Sequence, residues 1–359
     1  MSRNAAPDAP DAPAPTLSLD EPAVAALLDW FAACGVAYPW TETADPWAVW
    51  VSEIMLQQTT VGAVGPRYRR WMERFPTPEA LAAADDEEIL REWEGLGYYS
   101  RARNLAAAAR EVADSGGGIP GDSRSLRALP GVGEYTAAAV ASLAFGERIA
   151  AVDANGRRIA QRLTASEEWT AALDRAFRAA LEARMPADAP GRLNAAVMQL
   201  GQLVCTPREP DCPACPLAPG CAARKRGLQG EIPRRRRRET VRLRTPLALL
   251  VWDDAVLLAR KAEGIAAGLW IFPPEAAVAF PGGRPEPAAH LAETVHAYTR
   301  FRETLAPAVF PARGDETVEE AAETAWAGPE DLAGKPMPTA YRGIAGELAG
   351  WLEQNRRRS

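Results

Sequence analysis

The sequence predicts a mainly α chain followed by a small α+β domain, and three observations carry that expectation. Residues 17–200 run as one short amphipathic stretch after another, rich in Ala and Leu with Arg/Glu faces and without strand alternation. Four cysteines, Cys205, Cys212, Cys215 and Cys221, close this region with the spacing C-x6-C-x2-C-x5-C. Beyond a basic stretch the texture changes to short apolar runs of strand type. The expected layout is a disordered Ala/Pro tail over 1–16 and a helical domain over 17–228 that contains the cysteine cluster at 205–221. A basic linker over 229–243 then leads to a second domain over 244–355.

Within the first domain, helices are expected over 21–34, 46–60, 65–75, 78–83, 86–93, 100–115, 123–129, 134–145, 154–163, 170–184 and 191–204. Gly95-Leu96-Gly97 and Gly116-Gly117-Gly118 are typical of the breaks between them. In the second domain, Leu247–Trp252, a turn at Asp253-Asp254, and Ala255–Leu258 read as a β-hairpin. Leu269–Phe272 is a third candidate strand, and 286–296 and 340–354 read as helices.

Composition narrows the function. At 359 residues and 47% hydrophobic content the chain can build two or three cores. No run of eighteen apolar residues occurs, so a membrane span is not expected. The opening MSRNAAPDAPDAPAP lacks an apolar signal core, and its acids argue against a transit peptide. A reducing, cytoplasmic location follows, and with it a metal role for the cysteines, since Cys34 is the only other one. Residues 222–244 hold ten Arg/Lys against two Glu, a net of +8, which leaves −14 on the rest of a chain whose net charge is −6. A basic stripe on an acidic body suits DNA binding and equally suits a solvated linker.

Three motifs could carry chemistry. Leu129-Pro130-Gly131-Val132-Gly133 precedes a helix from about Glu134, so a tight turn presents free helix N–H groups to a phosphate, or simply joins two helices. Asp153, after Ala151-Val152, suits a helix N-cap. Glu53 lies mid-helix in WVSEIMLQQT with Val49, Trp50 and Leu56 on its face, company that raises a carboxyl pKa. A buried Glu bonded to backbone or Arg would show the same pattern.

The order Gly-turn, Asp, four cysteines resembles the endonuclease III-like base-excision DNA glycosylases with an iron–sulfur cluster. WVSEIMLQQT, GLGYYSRARN at 95–104 and LPGVGEYTA at 129–137 are similar to the adenine DNA glycosylases of MutY type. The resemblance covers 25–225 nearly without gaps, and more weakly 245–355, where that family carries a Nudix-like domain that reads 8-oxoguanine. It implies a helix-hairpin-helix glycosylase that removes adenine opposite 8-oxoguanine or guanine in duplex DNA. It also implies a [4Fe–4S] cluster on Cys205, Cys212, Cys215 and Cys221. Zinc is the competing metal for this ligand set.

By the same resemblance, Glu53 protonates the flipped adenine, Asp153 stabilises the cationic sugar and Tyr135 assists it. Gln58 and Tyr98 wedge into the base stack, and Gln57, Gly131, Val132, Gly133 and Arg208 join them in contacting DNA. Trp40 and Gln199 line the base pocket, and Tyr298, Thr299 and Arg300 align with the 8-oxoguanine loop. Bifunctional relatives place a lysine where Tyr135 stands. The chain has only Lys225, Lys261 and Lys335, so hydrolysis without a lysine imine is expected.

The chain departs from the family in several places. Pro39-Trp40-Thr41 replaces Pro-Trp-Arg, Gln199 replaces an acidic pocket residue, and Tyr298-Thr299-Arg300 replaces Phe-Ser-His, with His296 nearby. No Nudix hydrolase box occurs, which makes the second domain a recognition module. A thymine or uracil mismatch glycosylase and a non-catalytic iron–sulfur DNA-binding protein are the alternatives. A monomer is expected.

Overall fold

The computed structural model describes residues 17, 19–34, 36–234, 239–298 and 300–356. The expected tail over 1–16, Arg235–Arg238 of the linker, and Thr299 lie outside the described residues. Among the described residues, twelve α-helices precede the first strand: α1 (Glu21–Cys34), α2 (Pro46–Leu56), α3 (Val61–Arg74), α4 (Pro78–Ala82), α5 (Asp86–Glu92), α6 (Ser100–Ser115), α7 (Ser123–Leu126), α8 (Glu134–Ala144), α9 (Ala154–Thr164), α10 (Ala171–Glu182), α11 (Gly191–Leu203) and α12 (Ala222–Lys225). Their ends follow local chemistry. Thr77, Asp85, Asp122 and Thr170 each accept an N–H bond at a helix start, and α6 stops at Gly116, whose φ is 64°. The helix expected over 46–60 stops at Leu56, because Gln58 takes a left-handed backbone with φ 55°.

The chain packs as two compact units, residues 1–53 with 119–236 and residues 54–118 with 237–359. The first gathers α1, α9, α10 and α11 around Leu27, Ile159, Leu163, Phe177, Leu181, Leu193, Val197 and Leu200. Burying each such side chain stabilises by about 1.5–3 kcal/mol. In the same unit α11 runs close against α8. A Cβ on Gly191 would lie 2.6 Å from the Ser142 carbonyl, so only glycine fits there.

In the second unit, Trp71 meets Phe75 and Trp93 edge to face at 4.8 and 5.3 Å between ring centres, joining α3 to the loop after α5. Its sheet is built from β1 (Val241–Trp252), β2 (Ala255–Lys261), β3 (Trp270–Ile271), β5 (Ala289–His290), β6 (Thr294–Tyr298), β7 (Phe301–Pro311) and β9 (Ala321–Ala327). The path is β3-β2-β1-β7-β5, with β6 also on β7 and β9 also on β2. β1 and β7 run parallel, Val241 opposite Phe301, and β4 (Val278–Ala279) pairs with β8 (Thr317–Val318).

Two helices follow, α13 (Pro329–Gly334) and α14 (Thr339–Arg356). Ile344, Leu348 and Leu352 of α14 pack with Leu247, Leu249, Val309 and Phe272 in one core of this α+β region. Within the unit, Arg342 forks onto Glu94 at 2.9 and 2.8 Å, and Trp270 Nε1 donates to Glu87 at 2.7 Å.

The helix expected over 286–296 does not form. Pro285 and Pro287 withhold two N–H groups, and Thr294–Tyr298 alternates between half-buried and exposed positions as a strand on β7.

Candidate active site

Asp153 is placed from both sides of its chain. The extended segment before it is pinned by buried Asn194, whose Oδ1 accepts from Ala151 N at 3.1 Å while its Nδ2 donates to Ser142 Oγ and the Ile149 carbonyl. Asp153 then caps α9. Its Oδ1 accepts from Gly156 N at 2.7 Å and its Oδ2 from Asn155 Nδ2 at 2.8 Å. Asn155 Oδ1 accepts from Arg158 Nη2 at 2.7 Å, and Arg158 also donates to the Cys205 and Gly201 carbonyls. The N-cap reading and the functional reading of this aspartate therefore hold together: the cap fixes one oxygen and Asn155 the other.

Glu53 comes from α2 and is the last residue of the first unit's opening segment. It is 6% exposed among Trp50, Val49 and other apolar side chains of α2. Tyr135, in the first turn of α8, donates its hydroxyl to Glu53 Oε2 at 2.7 Å and approaches Met198 Sδ of α11 at 3.4 Å. Burial pushes the Glu53 carboxyl up to about 7, opposed by the Tyr135 bond and assisted by the nearby Asp153 charge. Burial also raises Asp153, but there hydrogen bonds from Gly156 and Asn155 and the Arg158 charge favour the ionised form. Two carboxyl groups within electrostatic reach thus have unlike surroundings: one apolar with a single donor, one ringed by donors. The Tyr135 phenol is raised well above its ordinary value, so it acts as a donor throughout the neutral range.

The turn before α8 is as the glycines suggest. Gly131 has φ 73°, Val132 is buried, and exposed Gly133 caps the helix. The first N–H groups of α8 have no partner within the helix, and together with its dipole they suit an anion. In the second unit, Gln58 and Tyr98 are both exposed and both left-handed, with φ 55° and 44°.

Comparison with known proteins decides the lineage. Residues 51–185 match the model of the HhH-GPD superfamily of base excision DNA repair proteins. The chain is 40% identical over 215 residues to the adenine DNA glycosylase of Mycolicibacterium smegmatis, covering 58% of this chain and 72% of that one. The chain belongs to the HhH-GPD superfamily. It is also 41% identical over 219 residues to the adenine DNA glycosylase of Homo sapiens, a match spanning 57% of this chain and only 40% of the human protein's length. Among solved structures, a thermostable thymine-DNA glycosylase matches with a TM-score of 0.52 at 30% identity, covering 56% of this chain and 95% of that one.

In this HhH-GPD chain the four cysteines converge. Cys205, Cys212, Cys215 and Cys221 line one small cavity of about 20 Å³ with Arg162, Asp211, Arg224 and Gln229. Burial pushes the Cys212 thiol up and that of Cys215 to about 11. Arg162, fully buried, donates to Cys205 Sγ at 3.2 Å and to the Thr206 and Ile232 carbonyls. The Gln229 side-chain oxygen is buried in the cavity wall without a hydrogen-bond partner among the described residues. No three His, Cys, Asp or Glu among the described residues sit close enough to share a single metal ion.

The remaining sequence candidates scatter. Trp40 is buried and stacks on Tyr38 at 5.2 Å. Gln199 is 7% exposed, and its Nε2 is buried without a partner among the described residues. Arg208 is exposed on the cysteine loop. Gln57 is half-buried, and its carbonyl accepts from Arg101 at 2.6 Å. In the second unit, Tyr298 commits its hydroxyl to Glu303 at 2.8 Å, and Arg300 lies over the Phe301 ring at 5.4 Å.

Sequence reasoning passed over Asn155, Arg158 and Arg162. The signal was present: positions 155, 158 and 162 are spaced three and four apart along α9, which puts them on one face.

Proposed function

We propose that the chain is a DNA glycosylase that removes adenine mispaired with 8-oxoguanine or guanine, by hydrolysis and without a lysine imine. The observation that carries this reading is the Glu53–Tyr135–Asp153 cluster, where a carboxyl raised to about 7 neighbours one surrounded by donors. Breaking an N-glycosidic bond leaves negative charge on the base and positive charge on the sugar. A protonated and an ionised carboxyl group meet those demands separately. Tyr135 holds Glu53 Oε2, which leaves Oε1 to carry the proton toward the base. Asp153, its oxygens fixed by Gly156 and Asn155, faces the developing sugar cation before water attacks. The base must leave the stack to reach such a site, a role given to Gln58 and Tyr98, while the turn Gly131–Gly133 and Arg208 take backbone phosphate. The partnerless Gln199 Nε2 offers a donor to a ring-nitrogen acceptor of the base, in the pocket assigned to it and Trp40.

The cysteine cavity is assigned a [4Fe–4S] cluster held by Cys205, Cys212, Cys215 and Cys221. Four thiols around one cavity, not gathered tightly enough to share one ion, favour a multi-iron core over zinc, whose tetrahedral site draws all four sulfurs to about 2.3 Å from one point. When bound, the cluster cross-links the loop that carries Arg208; no step of the reaction runs through it. The α+β region is assigned recognition of the opposite 8-oxoguanine through Tyr298, Thr299 and Arg300, without pyrophosphatase activity. The domain layout we assign is the one read from the sequence, tail 1–16, glycosylase domain 17–228, linker 229–243 and Nudix-like domain 244–355, although the chain's compact units group 54–118 with 237–359. A cytoplasmic, monomeric, nucleoid-associated enzyme is the proposal; no helix among the described residues is long and apolar enough to cross a membrane.

The deciding assay offers duplexes with adenine opposite 8-oxoguanine, guanine and thymine, and with thymine or uracil opposite guanine, and counts freed base and strand breaks separately. Adenine release without strand breaks is expected. Release of thymine in place of adenine would instead support the second reading, which rests on the similarity to the thymine-DNA glycosylase structure. Strand scission without alkali would remove the hydrolytic mechanism.

A further inference from the structure

Arg101 sits in the first turn of α6, where the helix dipole repels a cation, and its guanidinium is turned into the protein. No carboxylate among the described residues lies within ion-pair distance of it; the thirteen ion pairs found there all involve other cations. Its partners are oxygens of two separate turns. Nη1 donates to the carbonyls of Ile54, Met55 and Gln57 at 2.7, 3.0 and 2.6 Å. Nη2 donates to the carbonyls of Leu96 and Gly97 at 2.9 and 3.1 Å and to Thr59 Oγ1 at 3.1 Å. The cation thus sits on the negative C-terminal end of α2, which offsets its misplacement on α6.

The two turns share one feature. Each carries a non-glycine residue with left-handed backbone, Gln58 at φ 55° and Tyr98 at φ 44°. The Gln57 carbonyl belongs to the same rigid peptide plane as the Gln58 N–H, and the Gly97 carbonyl to that of Tyr98. Holding those oxygens fixes the plane from which each unfavourable φ is measured. Thr59 Oγ1 adds a strut between the turns, donating to Leu96 O at 3.3 Å. The guanidinium also lies over the rings of Trp93 at 5.3 Å and Tyr98 at 5.6 Å. Such strain persists only where surroundings over-determine it, and it gathers at functional sites.

We propose that Arg101 is the positioning residue of the duplex-inserting pair: it presets Gln58 and Tyr98 in their left-handed conformations before DNA arrives. The inference rests on the reading of those two residues as the wedge. Lysine cannot replace it, because a single ammonium with three donors cannot span six oxygens arranged around a planar fork.

The test uses the full-length enzyme and a duplex with 2-aminopurine beside the adenine opposite 8-oxoguanine. Fluorescence reports unstacking, and single-turnover base release at saturating enzyme reports rate, both normalised to active enzyme. Arg101→Lys is expected to lose most of the fluorescence rise and roughly tenfold or more in rate, with affinity for undamaged duplex changed less than about twofold. Thr59→Val, which keeps the clamp's charge and removes one acceptor, is expected to lose about threefold to fivefold. It serves in place of Arg101→Lys should that variant not fold. In a Gln58→Ala/Tyr98→Ala background, adding Arg101→Lys is expected to change unstacking by less than about twofold, because the pair it acts through is gone. A merely structural arginine would lower stability and active fraction while leaving unstacking per active enzyme intact, and that result overturns the inference. Full unstacking by Gln58→Ala/Tyr98→Ala overturns the wedge reading itself. Loss there with full unstacking in Arg101→Lys and Thr59→Val overturns the Arg101 inference alone.

Discussion

Replacing Glu53 by Gln should stabilise the protein, and only at neutral and alkaline pH. The carboxyl is buried and its pKa lies at about 7 in the folded chain against an ordinary 4.5. A raised carboxyl pKa means that the native state binds a proton more tightly than the unfolded chain does. The associated stability is complete below about pH 4.5 and is lost as pH rises through about 7. At about 1.36 kcal/mol for each pH unit of difference, the loss amounts to about 3 kcal/mol. Glutamine keeps the shape and still accepts from the Tyr135 hydroxyl, but carries no charge to desolvate. Thermal melting of wild type and Glu53→Gln across pH 5 to 8.5 checks this. The variants should melt together near pH 5. At pH 8 and above, Glu53→Gln should melt about 6–12 °C higher, for a folding unit of roughly 150–250 residues. The same variant should lose base release, since its amide has no proton to give. Equal melting at every pH, or a difference independent of pH, would show that Glu53 is not the destabilised acid described above.

The other expectations are narrower. Gly201→Ala places a Cβ 2.4 Å from Asn155 Cβ and 2.9 Å from its Cγ, so it should destabilise by about 1–3 kcal/mol in urea melts. By moving Asn155 off Asp153 it should also slow single-turnover base release by roughly tenfold to a hundredfold. Gly62→Ala is its control: nothing lies within 4 Å of a Cβ there, and it should raise stability by up to about 1 kcal/mol with base release unchanged. Asp153→Asn should bind duplex as tightly as wild type yet release no base; a retained rate would remove Asp153 from the mechanism. Cys215→Ser should reduce bound iron and visible absorbance in the purified protein, and expose the Val204–Gly227 loop to protease; unchanged iron content would remove Cys215 from the ligand set.

What could be read from the chain followed the strength of local signals. Helix periodicity, the cap at Asp153 and the glycine turn at Gly131 are short-range features, and the structure keeps them. The apolar company of Glu53 was legible because Val49 and Trp50 lie within one turn of it. Its donor was not, because Tyr135 is 82 positions away and only the tertiary fold brings it in. The strands β7 and β9 escaped notice for a different reason. FRETLAPAVFP carries two prolines and AAETAWA is mostly alanine, so neither has the β-branched alternation of an isolated strand signal. Their strand state comes from partners: β7 lies along β1 over eleven residue pairs, and β9 along β2. Arg101 was visible inside GLGYYSRARN but mute, since its six acceptors are backbone and threonine oxygens that any sequence supplies.

α9 shows how one short helix can serve two centres. Its N-cap is Asp153, and near its C-terminal end Arg162 reaches the cysteine cavity. Between them Arg158 holds both Asn155, which fixes Asp153, and the Cys205 carbonyl. Both arginines are buried and neither has a carboxylate within ion-pair distance among the described residues; Arg158 feels the charges of Asp153 and Cys205 instead. Buried cations without close counter-ions are costly unless anions lie nearby. At one end of the helix that anion is Asp153 when it is ionised, and at the other the cysteine sulfurs when a bound metal holds them as thiolates. A residue change that neutralises either anion should therefore destabilise the arginine beside it. Cys205→Ser should lower the stability of the metal-loaded protein by more than the lost hydrogen bond alone, whereas Asp153→Asn offsets its loss at Arg158 by sparing the desolvation of a buried carboxylate. Asn155→Ala, which removes the link and leaves the charges, should cost only about 1–2 kcal/mol. If Asn155→Ala proves as destabilising as Cys205→Ser, the helix is held by its hydrogen bonds and the electrostatic account of α9 is wrong.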